Sequence, residues 1–289
     1  MAEAVSRDSG RGLSASIELS PKGVIKDPSA LRAVPEGTRI YLVDSGETLV
    51  AEWASACRNL VDAGLRAVPH IACRRLKGLE EIENRLHAMA EVGVDDALVI
   101  GGDIPRPLGP FGSSMDVLAT GLFEQHGIRH IGVAGHPEGS PDIPPAVVVD
   151  ALHWKIAFAA RTGIQVRLVT QFGFDPNLSI LWANRLRDEG VRLPIHLGVA
   201  GPTSMTKLLK FAALCGVRTS MSFALKRGAA LASLLGNYEP EAHVRVIEQR
   251  VLAGEAPLIR QLHVYAFGGL AAATTWLTER GSWTSRRSV

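Results

Sequence analysis

The chain has 289 residues, 46% of them hydrophobic and 21% charged, with a formal net charge of +2. That composition belongs to an ordinary globular protein whose core is large enough to fold without disulfides or metals. Basic and acidic residues are interspersed, so no Lys/Arg stripe offers itself to nucleic acid or to an anionic membrane.

Cys57, Cys73 and Cys215 are odd in number and far apart, with neither CxxC nor zinc spacing. They read as reduced thiols of a cytoplasmic protein. No apolar signal core opens the chain and no run of eighteen apolar residues occurs in it, so neither a leader nor a membrane span is expected.

Taken in order, residues 1–13 form a polar tail and Ser16–Ser20 a first strand. Thr38–Asp44 is the second, followed by a helix with apolar Leu49, Trp53, Cys57, Leu60 and Val61 on one face. Arg66–Cys73 is the third strand. The next helix carries Leu79, Ile82, Leu86 and Met89 opposite Glu80, Glu81, Glu83 and Asn84. Further strands are expected at Ala97–Asp103, His130–His136, Val166–Phe172, Pro194–Val199 and Leu262–Phe267. Ser220–Gly254 is longer than one unit needs and is expected to add a helix, and 282–289 reads as a second tail.

A local pattern recurs: helix, Gly, aliphatic, polar, apolar run. It begins at Gly64, Gly93, Gly127, Gly163, Gly190 and Gly216, which lie 26 to 36 positions apart. Glycine closes a helix in the left-handed conformation because it has no Cβ to clash there. The short apolar run after it suits a strand covered on both faces. Eight strands alternating with helices can close as a barrel or open as a doubly wound sheet. No Gly-rich turn follows the first strand, and strand count and length match a (β/α)8 TIM barrel. The expectation is one α/β barrel domain over 14–281, with an extra helix near its C-terminal end.

In such a barrel the loops at the C-terminal rim surround the pocket. The polar residues at the expected strand ends are Glu18, Asp44, His70, Asp103, His136 and Gln171. A carboxylate at the end of an apolar strand is costly unless it is solvated, paired or used. Asp44-Ser45-Gly46-Glu47 reads mainly as a helix cap, and His130 as a packed or surface histidine. His70 and His136 divide evenly between structural and pocket roles. A Schiff-base aldolase needs a strand-end lysine, which the sequence lacks. A metal-dependent hydrolase needs clustered ligands, and only the dispersed His70, His136 and Asp103 are on offer, so no metal site is assigned. Gly198-Val199-Ala200-Gly201 is a weak match to a phosphate loop.

Five ordered motifs carry a resemblance. Ser16-Ile17-Glu18-Leu19-Ser20-Pro21, Pro69-His70-Ile71-Ala72-Cys73 and Ala97 to Asp103 are the first three. Ile131-Gly132-Val133-Ala134-Gly135-His136-Pro137-Glu138 and Thr170-Gln171-Phe172-Gly173-Phe174-Asp175 complete the set, and Gly198–Phe211 aligns without a gap. Over residues 14 to 270 the chain resembles the methylenetetrahydrofolate reductase family.

The resemblance implies a barrel that holds FAD across its rim. It also implies hydride transfer between NADH or NADPH and a folate, interconverting methylene- and methyltetrahydrofolate. Glu18 then matches the acid that opens the five-membered ring of methylenetetrahydrofolate. Such an acid is expected to have its pKa raised by burial, so that it holds a proton near neutral pH. Asp103 matches the partner of flavin and pterin, and Gln171 the amide contacting the substrate. Phe211 matches an aromatic packing on nicotinamide or folate, and Lys207 falls in the same substrate-binding stretch. Flavin contacts map to His70, Gly102, Asp103, His136 and Asp150. Family members often assemble, so a homo-oligomer is an expectation of the resemblance alone.

The chain also departs from the family. His136 replaces a tyrosine, two basic positions near the FAD diphosphate are apolar in Asp150–Ala157, and the last strand's Asn-Arg is Gly268-Gly269. These departures motivate three alternatives: operation as a methyltetrahydrofolate oxidase, a flavin-free reductase with direct NAD(P)H-to-folate transfer, and a non-redox pterin-binding barrel.

Overall fold

The computed structural model describes residues 12–140, 143–215, 217 and 236–283. Eight parallel strands close into a barrel: β1 Ala15–Leu19, β2 Arg39–Leu42, β3 Arg66–Ala72 and β4 Asp96–Ile100, then β5 His130–Gly135, β6 Gln165–Thr170, β7 Ile195–Ala200 and β8 Ile259–Tyr265. The ring closes where β1 pairs with both β2 and β8, so Glu18 stands in register with Tyr41 on one side and Tyr265 on the other. The expected (β/α)8 barrel is the observed fold. The loop glycines Gly64, Gly93, Gly127, Gly163 and Gly190 all have φ between +72° and +86°, the left-handed closure their lack of Cβ permits. Gly216 lies outside the described residues.

Helices α1 Pro21–Lys26, α2 Val50–Asp62, α3 Leu79–Glu91, α4 Ser114–Leu118 and α5 Leu122–Gln125 cover the first half of the ring. The second half is covered by α6 Pro145–Thr162, α7 Pro176–Asp188, α8 Met205–Leu214, α9 Glu241–Leu252 and α10 Leu270–Glu279. The main core lies between strands and helices, where Trp53, Cys57, Leu60, Ile82, Leu86 and Met89 are buried as the 3.6-residue spacing dictates. Of the long Ser220–Gly254 stretch, α9 fills the second half, and 218–235 lies outside the described residues. A short antiparallel pair, Thr203–Ser204 with Asn237–Tyr238, brackets α8 and has no clear signal in the sequence.

Three expectations need correction. Asp44 does not cap α2, whose N-cap is Leu49; it accepts from the Gly46 and Ala72 backbones and pairs with Arg85 at 2.7 Å, tying the β3 end to α3. The packed body reaches past the expected boundary at 281, because Trp283 is buried and its indole donates to the Ala15 carbonyl at 2.8 Å. At the other end the Leu13 amide donates to Glu248 at 2.7 Å. The remaining tail residues, 1–11 and 284–289, lie outside the described residues.

The barrel interior is the unusual part. Interiors of this fold are filled mostly by branched apolar side chains, and Tyr41, Val68, Leu98 and Val169 form such a cluster. Around it, however, Ser16, His70, Asp96, Arg167, His196 and His263 are all buried. Arg167 donates to Asp96 at 2.7 Å and to the Tyr41 hydroxyl at 2.9 Å. Arg39 reaches the other Asp96 oxygen at 3.2 Å, and Tyr41 lies 3.3 Å from Nδ1 of His196. Burying Asp96, Arg167, Tyr41 and His196 is tolerable because they pair with one another, whereas Nε2 of His70 and of His263 is buried without a hydrogen-bond partner among the described residues.

Candidate active site

Glu18 points from β1 into the mouth, with its side chain 17% exposed. Its Oε2 lies 3.6 Å from Nε2 of His70 on β3 and 3.5 Å from Nε2 of His263 on β8. Nδ1 of His263 lies 3.1 Å from the Ser16 hydroxyl, which also lies 3.3 Å from the Leu262 carbonyl. A hydroxyl has one proton to give. That proton can go to the Leu262 carbonyl or to Nδ1 of His263, and the Ser16 oxygen accepts from Nδ1 in the first case. The contact of Nε2 with the Glu18 carboxylate is attractive when one proton lies on the Glu18–His263 pair.

Burial pushes the Glu18 carboxyl up, but the long polar contact with His263 and the fields of His70 and His263 outweigh it. The net displacement is below the ordinary carboxylate value. This reverses the expectation of a burial-raised acid. Burial moves His70 downward, opposed by the charge of Glu18. The rings of Tyr41 and Tyr265 wall the site, 4.3 Å and 5.0 Å from the His263 ring.

Asp103 and Gln171 stand on the same rim. Strand β4 ends at Ile100, so Asp103 sits in the loop beyond Gly101 and Gly102, with φ +91° at Gly102. Its carboxylate is 78% exposed and paired with Arg75. Cys215, at the end of α8, has its thiol pushed up to about 11, first by burial and then by the charges of Glu18 and Asp103. Both carboxylates thus face the same mouth. Gln171 follows β6 directly and is exposed, its amide oxygen accepting from the Phe172 N–H at 3.1 Å. Neighbouring strands hold the strand end: Thr170 accepts from the Gly198 amide at 2.8 Å and from the Tyr265 hydroxyl at 3.1 Å. A Cβ at Gly198 would overlap the Thr170 carbonyl, so this glycine serves close strand packing, not a phosphate loop.

The methylenetetrahydrofolate reductase family model matches residues 34–273. The chain belongs to that family. It is 28% identical over 162 residues to 5,10-methylenetetrahydrofolate reductase of Pectobacterium carotovorum subsp. carotovorum, 54% of this chain and 50% of that protein. It is 25% identical over 182 residues to methylenetetrahydrofolate reductase (NADH) 1 of Arabidopsis thaliana, 58% of this chain and 30% of that protein. The matches thus span half or less of these relatives. Among solved structures, an uncharacterized Clostridium thermocellum protein that binds two copies of 5-methyl-5,6,7,8-tetrahydrofolic acid shares the fold. Its TM-score is 0.54 at 10% identity, covering 93% of this chain and 95% of that one.

The other residues that the family resemblance singled out are distributed unevenly. Phe211 on α8 stacks on Phe267, with centroids 4.3 Å apart and planes 9° apart, within an aromatic corner that includes Phe172, Phe174, Tyr238 and Tyr265. Lys207 lies exposed on the first turn of α8, and Asp150 is exposed on the second turn of α6. His136 is half-buried, its pKa lowered by burial and then by Lys155. His70, His136 and Asp103 do not gather, and among the described residues no group of three could hold a metal ion.

Sequence reasoning missed His263, Ser16, Tyr41 and Arg75. His263 and Ser16 lie inside expected strands, and only the closure of β1 on β8 makes them neighbours of Glu18.

Proposed function

We propose that this chain interconverts 5,10-methylenetetrahydrofolate and 5-methyltetrahydrofolate, with Glu18 and His263 holding the proton that opens or closes the five-membered ring. The observation carrying this reading is the Glu18 carboxylate set between two imidazoles, one of them also in contact with the Ser16 hydroxyl, at the mouth of a barrel of this family. Binding of methyltetrahydrofolate by the Clostridium barrel supports the substrate class.

In the reductive direction the pair delivers a proton to the ring nitrogen that leaves the bridging carbon. In the oxidative direction it takes that proton back. Asp103 and Gln171 orient the pterin from the rim, Asp103 accepting from its amino edge and Gln171 offering an amide. Phe211 and Phe267 supply a flat apolar wall for an aryl ring. Lys207, with its ammonium in solvent at the edge of this wall, is placed to meet a carboxylate of the folate tail.

The residues present fit a flavin. Gly101 leaves open backbone, its added Cβ meeting only Arg74 at 3.9 Å, while Gly102 packs on Ala72 at 3.3 Å in a left-handed conformation that carries the loop over the rim. Lys155 on α6 is buried, its pKa lowered by burial, and it makes no hydrogen bond or ion pair among the described residues. A buried cation of this kind suits a diphosphate. Gly102, Asp103, His136 and Lys155 would hold FAD, together with His70 and Asp150. When bound, it supplies the hydride carrier between NADH or NADPH and the folate.

The test is the absorbance spectrum of the purified protein before and after anaerobic methyltetrahydrofolate, alongside Glu18→Gln. A flavin spectrum bleached by the folate, and a Glu18→Gln variant that still takes electrons from NADH but does not turn over folate, are expected. A Glu18→Gln enzyme with normal folate turnover overturns the acid role. A colourless but active preparation favours direct transfer from nicotinamide instead.

A further inference from the structure

Arg75 lies in the short turn Cys73–Arg75 that follows β3, and its side chain crosses to the loop after β4. Its Nε and Nη2 both donate to Oδ1 of Asp103, at 3.1 Å and 2.8 Å, and Nη2 also reaches Oδ2 at 3.0 Å. The route passes over Gly46, where a Cβ would collide with Nη1 of Arg75. Asp103 is thus open to solvent on the rim, yet both its oxygens are engaged by a planar two-donor fork.

That fork has a chemical twin. The amino group and ring N–H of a tetrahydropterin form the same edge of two parallel donors, which a carboxylate accepts in the same two-point way. One carboxylate cannot serve both forks at once.

We infer that Arg75 is an internal competitor that occupies the pterin's seat on Asp103 until the paired-donor edge of the pterin displaces it. The exchange is like for like, two donors for two, so the seat is closed in the free protein and opened by the ligand with loss of the ion pair. The inference rests on the folate reading above and deepens it: a side chain of the site itself sets how tightly the pterin is held.

The test uses the purified full chain and 6-methyltetrahydropterin, which carries the paired-donor edge and no charged tail. Binding is titrated for wild type, Arg75→Gln, Arg75→Lys and Asp103→Asn. Removing an exposed ion pair that competes with the ligand tightens the dissociation constant by about two- to fivefold in Arg75→Gln. Arg75→Lys, a point charge that cannot span both oxygens, falls between. Because the competitor is ionic and the ligand edge is neutral, added salt tightens binding to wild type and leaves Arg75→Gln nearly unchanged.

Unchanged or weaker binding in Arg75→Gln, with Asp103→Asn weakened, overturns the role of Arg75 and leaves the folate site standing. Unaltered binding in Asp103→Asn as well overturns the pterin seat itself. A purely structural Arg75 produces no salt difference between wild type and variant.

Discussion

Replacing His263 by Gln tests the proton pair directly. The variant removes the imidazole whose Nε2 lies 3.5 Å from Glu18 and leaves His70 in place. An interaction with a charged group contributes about 1.5–3 kcal/mol, and at this long contact the lower figure applies, about a tenfold loss in folate turnover. With the opposing influence weakened, burial governs and the Glu18 titration moves up. The assay is carboxyl titration by 13C NMR of glutamate-labelled protein, with Glu18→Gln identifying the resonance. A Glu18 midpoint that stays put or falls in His263→Gln refutes the reasoning, because His263 then does not set the acid.

Asp96→Asn leaves the guanidinium groups of Arg39 and Arg167 without the carboxylate they share, and should cost about 3–5 kcal/mol in urea unfolding; a loss below about 1 kcal/mol would show that the interior network is solvated. Tyr41→Phe keeps the ring against His263 but removes the acceptor for Arg167, so stability should fall by about 1–3 kcal/mol while the Glu18 titration stays fixed. Tyr41→Leu, which removes the ring, should move both. Stability should decline as pH drops below the ordinary histidine value of 6.5. His70, His136 and His196 all have folded pKa values lowered by burial, and His243 is lowered to about 4. A group depressed in the folded state contributes stability above its unfolded pKa and loses it as the unfolded chain takes up the proton. Glu18, held below 4.5, adds to the loss at more acid pH. Urea midpoints at pH 7 and pH 5 check this; a flat profile would mean that these imidazoles are hydrated.

The barrel was legible because its signals are local. Gly64, Gly93 and Gly163 mark helix ends by backbone chirality, and the apolar runs after them are strands whatever their neighbours. Glu18, Asp103 and Gln171 were legible as strand-end polar residues. What eluded the sequence was pairwise and long-range. Ser16 and His263 are 247 positions apart, and their contact follows from ring closure alone. Asp44 looked like a cap because Gly46 and Glu47 follow it, but Arg85, 41 positions on, supplied a stronger partner. The pKa of Glu18 was misjudged for the same reason: burial can be inferred from one strand, whereas the two imidazoles opposing it come from β3 and β8.

That misjudgement bears on the direction of the chemistry. A carboxyl raised by burial alone holds its proton tightly and is suited to giving it up only when the substrate demands it, so it favours ring opening. A carboxyl held below its ordinary value rests as the carboxylate near neutral pH, the form that accepts a proton. That form suits taking a proton as a ring closes better than giving one as it opens. The resemblance marks one further departure, Gly268-Gly269 where the family has Asn-Arg, next to the stack of Phe211 on Phe267. On the proposed reading, an ionised Glu18 makes oxidation of methyltetrahydrofolate the informative reaction to measure first.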